Sequence, residues 1–287
     1  MINKIKKDFF EFIGSPYITY LKTLDKIVKY SKGNINFYVL INSANNSLSD
    51  DYNIIAKNLN RIHKFSNNAK LDVYLSLAPY KKEINKTTKL PLSRFNVNSG
   101  FTIININRYP IEDKKIFISR KEEFGKVIFH EYIHHNLQID SSFSSSNIKR
   151  LQEHFKIISD IDPNEAVVEF WATVMFLKQL SEETQKDFYE LFKEELSYSL
   201  YKSNQLFELQ KKNNGIWFDN TYVYCYIIFK TIFMFNLTKF QKIYTFPYDD
   251  TILTNFLIEH SKLPEIKSNP TKRRPDNSLC FMVNSDD

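Results

Sequence analysis

The chain has 287 residues, 43% hydrophobic and 25% charged, with a formal net charge of +6. That balance belongs to a folded globular protein and excludes collagen-like, disulfide-framework and wholly disordered classes. Five glycines without GxGxxG or GxxxxGK remove the phosphate-cradling enzymes, and two cysteines, Cys225 and Cys280, far apart and outside any CxxC, point to a reducing compartment.

The start is basic, but Asp8 and Glu11 interrupt any apolar signal core, so a cytoplasmic or otherwise intracellular protein is expected. Residues 2 to 31 read as one or two helices, with Ile5, Phe9 and Phe12 and then Leu21, Leu24, Ile27 and Val28 at helical spacing around Gly14-Ser15-Pro16. Ile35 to Ile41 is β-branched and bounded by turn residues, hence a strand. Asp50 to Phe65 returns to helical spacing. Leu71 to Leu77 alternates as a half-buried strand, Phe101 to Asn107 alternates again, and Lys115 to Ser119 is a further candidate.

Beyond Arg120 the patterns are helical: about 121–138, 147–159, 163–180, 183–211, 217–236 and 249–261. Strands first and helices after predict an α+β fold, a small mixed N-terminal sheet with helices followed by a mainly helical half. The expected organisation is a single domain over 1–265, with a mixed part at 1–119 and a helical part at 120–265, then a flexible tail at 266–287. The apolar run Thr221 to Leu237 carries Lys230 in its middle and reads as a buried helix, not a membrane span. Lys272-Arg273-Arg274 is the one basic cluster. With no nucleic-acid-binding pattern beside it, neither nucleic acid nor membrane is expected as a partner.

The chemistry concentrates in His130-Glu131-Tyr132-Ile133-His134, an HExxH on a predicted helix. Histidines at i and i+4 share a helix face, so both imidazoles can meet one Zn²⁺, while Glu131 can reach a water beside it as general base. Phe124, Val127, Ile128, Phe129 and Ile133 make the helix apolar on more than one side, where unpaired polar groups are costly. The plainer alternative is a pair of core histidines satisfied by hydrogen bonds. His135 points away from the pair and reads as structural.

A catalytic zinc needs a third protein ligand. Asp162-Pro163-Asn164-Glu165 is a helix start in which Glu165 would also serve as the return half of a capping box. Glu169, one turn later, lies among Val167, Val168, Phe170, Trp171 and Ala172, where a carboxylate should be paired, and the second ring N–H of a ligand histidine is a natural partner. The competitor is Asp140, ten residues after His130, a position that resembles the third ligand of the metzincins and their Asp variants; those patterns place a glycine for a sharp exit from the helix where Leu137 stands here.

His130-Glu131-x-x-His134 followed by Asn164-Glu165-x-x-x-Glu169 resembles the gluzincin metallopeptidases, the thermolysin-like clan. The resemblance covers residues 120 to 172 and implies zinc held by His130, His134 and Glu165, with Glu169 behind a ligand histidine. It also implies a peptide or protein substrate paired to an exposed strand edge, for which Phe101 to Asn107 is the candidate. An oxyanion-stabilising Tyr or His is implied too, drawn from Tyr222, Tyr224, Tyr226 and His260, with Tyr226 taken first. The run from Arg120 into the motif is similar to metallopeptidases of large DNA viruses, which allows a viral origin. A zinc-dependent peptidase is the function expected. The alternative is a catalytically inactive zinc-binding relative that acts as a protein-binding module, against which the intact Glu131 argues.

Overall fold

Gly33 and Asn34 form a two-residue turn between two strands, β1 (Lys26–Lys32) and β2 (Ile35–Ile41), and Gly33 takes the left-handed φ of +55° that such a turn needs. In the computed structural model the described residues are 2–10, 12–13, 15–44, 48–66, 70–84, 89–92, 94–103, 115–137 and 143–284. They form an α+β protein that divides into two compact units. One draws on Met1–Lys81 and Asn98–Leu137, the other on Lys82–Val97 and Gln138–Asn284.

The first unit is built on a mixed sheet. Helices α1 (Ile2–Phe10) and α2 (Ser15–Thr23) precede the β1–β2 hairpin, and α3 (Leu48–Phe65) carries the chain to β3 (Leu71–Ala78), parallel to β2. The strand order is β1-β2-β3-β5-β4, with β4 (Gly100–Thr102) at one edge and antiparallel to β5 (Lys115–Arg120). The helical spacing expected through Leu24, Ile27 and Val28 is corrected here. Residues 26–32 are an edge strand, in which Ile27 and Val28 continue the spacing of α2 by coincidence and Lys26, Lys29 and Lys32 guard the open edge. β3, expected to be half-buried, is buried along nearly all its length because parallel partners flank it and helices cover the sheet.

One face of this sheet meets α1 and α2 through Ile5, Phe9 and Leu21. On it an aromatic ladder crosses four strands. Tyr38 stacks on Tyr74 at 4.9 Å, Tyr74 on Phe117 at 5.1 Å, and Phe117 on Phe101 at 4.8 Å. Each pair contributes about 0.5–1.5 kcal/mol beyond area burial, which ties short β4 to the sheet. The opposite face packs against α3 and α5 (Phe124–Leu137). The expected strand Phe101 to Asn107 is realised as β4, and its part from 104 on lies outside the described residues.

The second unit is helical: a short α4 (Arg94–Val97), then α6 (Ser145–Phe155), α7 (Asn164–Thr184), α8 (Phe188–Lys212), a π-helical turn (Cys225–Phe229) continuing as α9 (Lys230–Phe235), α10 (Leu237–Ile243) and α11 (Asp250–Glu259). Phe170, Phe233, Phe240 and Phe256 make its aromatic centre, with Phe233 and Phe240 stacked at 4.4 Å. Among the described residues no helix is long and apolar enough to cross a membrane.

The flexible tail expected from residue 266 is also corrected. Leu279, Cys280, Phe281, Met282 and Val283 are buried. The Glu195 carboxylate accepts from the Val283 backbone N–H at 3.0 and 3.1 Å, and Lys230 Nζ donates to the Phe281 carbonyl at 2.9 Å. The basic cluster is absorbed as well, with Arg273 paired to Glu194 and Arg274 buried. Five apolar residues after a long polar stretch therefore serve as core of this unit, which extends past the expected boundary at 265.

Candidate metal centre

Phe124, Ile128 and Phe129 bury α5 and fix its rotation, which presents the HExxH residues together. Nε2 of His130 and Nε2 of His134 approach to 3.2 Å, with the rings at 61°. His130 is buried and His134 half-buried. Glu165 stands in the first turn of α7 and is half-buried. His130, His134 and Glu165 each offer one ligand atom, these atoms lie within 4.8 Å of one another, and the group could hold a metal ion.

The donor set passes a simple geometric test. Two nitrogens bound to one tetrahedral zinc at about 2.0–2.1 Å stand ~3.3 Å apart, close to the observed separation. Two imidazole nitrogens and one carboxylate oxygen are also the chemical types that zinc takes at catalytic sites, with one position left over.

Glu131, 5% exposed, turns its carboxylate toward β4. Thr102 Oγ1 donates to its Oε2 at 2.8 Å, and a Cβ added to Gly100 would meet Oε1 at 3.0 Å and Val127 Cγ1 at 2.8 Å. Two residues on the same face of one edge strand thus bracket the carboxylate. Thr102 escaped the sequence reading, since nothing in a three-residue strand announces which helix it will touch.

Other expected residues fall as follows. Glu169 is 1% exposed in the apolar interior of α7. Asp140 lies outside the described residues. Tyr226 lies in the π-helical turn and stacks on Phe281 at 5.5 Å, while Tyr224 is core against Trp217 and Phe229. His260 closes α11 against Phe256. Tyr222 is the tyrosine whose hydroxyl senses the carboxylates: burial raises its pKa first, and the charges of Asp162, Asp160 and Glu165 add to the rise. It also adopts a φ of +56°, unusual for an aromatic residue, where the turn made by Asp219 and Thr221 leads into the π-helical turn. Burial likewise pushes the Cys225 thiol well up, reinforced by Asp162, Asp219 and Glu165, so it stays neutral.

No protein-family model, curated protein or solved structure matches the chain.

Proposed function

We propose that the protein is a zinc-dependent peptidase in which His130, His134 and Glu165 hold the metal and Glu131 is the general base. The supporting observation is the third donor. Two imidazoles sharing a proton would account for the histidine pair alone, whereas a carboxylate oxygen in the same small space is what a cation accounts for. Zinc, when bound, polarises a carbonyl and acidifies a water at such a site.

The remaining work falls to the chain. Glu131 takes a proton from the attacking water on its carboxylate and delivers it to the leaving amine. Thr102 holds Oε2 and so sets the orientation of the carboxylate. β4, at the edge of the sheet and against α5, offers backbone groups to an extended peptide. In this reading Glu169 orients a ligand histidine, and Tyr222, whose phenol feels the charge of Glu165, joins Tyr226 as a candidate for stabilising the oxyanion.

The test is elemental analysis of protein purified without added metal, paired with hydrolysis of labelled casein before and after chelation. Stoichiometric zinc, and activity lost to chelator and restored by zinc, are expected. Glu131→Gln should keep the zinc and lose turnover by about 10²- to 10⁴-fold, as loss of a general base does. Protein that neither contains zinc nor takes it up at neutral pH overturns the proposal.

A further inference from the structure

The first turn of α7 is anchored in an unusual way. Its N-cap residue, Pro163, has helical backbone angles and makes no side-chain capping bond. The cap comes from the residue before it, Asp162, whose carboxylate closes the turn in which Glu165 sits.

That cap is the first member of a relay of side chains. Asp162 Oδ1 accepts from the backbone N–H of Asn164 at 3.0 Å and from its side-chain amide at 2.8 Å. The amide oxygen of Asn164 in turn accepts from the hydroxyl of Tyr248. Asn164 and Tyr248 are 7% and 8% exposed, so these bonds are made away from water, where a lost partner is costly.

Tyr248 is itself rigidly placed. Its ring lies against Phe143 and Tyr244. The next residue, Asp249, caps α11 by accepting from Thr251 and Ile252. Asp250 accepts from the backbone N–H of Ser144 at 2.7 Å and from Asn147 at 3.0 Å, which fastens α11 to α6.

A buried asparagine at a helix start needs a partner in any case, and a structural bond would meet that need. Position decides the matter. The bonded residue immediately precedes Glu165, and the relay ties the Asp162 cap to Tyr248 in the very turn that carries this carboxylate.

We infer that Tyr248 is a positioning residue for the metal centre: through Asn164 it fixes the first turn of α7 and so the carboxylate of Glu165. The inference rests on the proposed zinc site and adds a residue 84 positions away in sequence.

The experiment is competition for zinc against a chromophoric chelator, using the full chain as wild type, Tyr248→Phe and Asn164→Ala, each also in a Glu165→Ala background. Loss of the Tyr248 hydroxyl should weaken zinc by about 10- to 100-fold, the usual effect of removing an outer hydrogen-bond partner. In the Glu165→Ala background the same change should leave zinc affinity within about twofold, because the ligand through which it acts is gone. Asn164→Ala should repeat the pattern and serves if Tyr248→Phe does not fold. Wild-type affinity in both variants, or an equal loss with and without Glu165, overturns the inference while the zinc site stands. Wild type that binds no zinc removes the site and the inference with it.

Discussion

Thr102 donates its hydroxyl to Oε2 of Glu131 at 2.8 Å, and Thr102 Oγ1 also lies 3.1 Å from the Glu131 backbone carbonyl oxygen. A hydrogen bond to a carboxylate is worth about 1.5–3 kcal/mol, enough to select one orientation of a side chain with free rotors. Thr102→Val keeps the shape and removes the donor. Its zinc content should equal wild type, while kcat on labelled casein falls about 10- to 100-fold with little change in KM. Thr102→Ser should restore most of the rate. A variant valine with full activity would show that packing against Gly100 alone holds Glu131.

The choice between Glu165 and Asp140 is open to direct measurement. Glu165 is part of the donor group, whereas Asp140 lies outside the described residues. Glu165→Ala should lower zinc affinity by several orders of magnitude, because two imidazoles hold the ion weakly. Asp140→Asn should keep a full complement. The reverse result in the same chelator titration would move the third ligand to Asp140.

The end of the chain makes a prediction opposite to its composition. Deleting residues 276–287 would expose the cores beneath Leu279, Phe281 and Met282 and strand the buried Glu195 and Lys230 without the backbone groups they bond. Each large apolar side chain lost is worth about 1.5–3 kcal/mol, and each bond lost to a buried charged group adds about 1.5–3 kcal/mol. The truncated protein should be insoluble or melt far below wild type. Unchanged melting would mean that these contacts contribute nothing.

How legible this architecture is from sequence depends on how local each feature is. The helical face that pairs His130 with His134 is a property of five consecutive residues, and β2 and β3 follow from short β-branched runs. β1 reads as helix from sequence because Leu21, Leu24, Ile27 and Val28 fall at helical spacing across the end of α2 and the start of the strand, and only pairing with β2 decides the matter. The contact of Thr102 with Glu131 spans 29 residues and that of Tyr248 with Asn164 spans 84, distances at which periodicity carries no information. The buried segment Leu279–Val283 was hidden by its polar neighbours, since composition averages over a window and burial is decided residue by residue.

Lys202 gives a pH dependence with a definite sign. Its amine is buried, donates to Gln205 Oε1 at 2.8 Å and to the Asp276 carbonyl at 3.2 Å, and lies near the rings of Tyr198 and Tyr201. Burial lowers its pKa from 10.5 to about 8, against the smaller opposing pull of Cys280 and Asp276. Tyr201 is pushed above 10.0, mainly by burial and further by Asp276, so it titrates above most of the relevant window. Between about pH 8 and pH 10.5 the unfolded chain keeps the lysine proton that the folded chain has released. The unfolded state binds more protons there, so this residue's contribution to stability rises with pH through that window and is least favourable below it. The full swing is of order ~3 kcal/mol. Urea unfolding of wild type and Lys202→Met at pH 7 and pH 10 checks it. The stability of wild type relative to the variant should increase at the higher pH, because methionine carries no proton to release. Parallel stability curves for the two proteins would show that the Lys202 amine reaches water and titrates as it does in the unfolded chain.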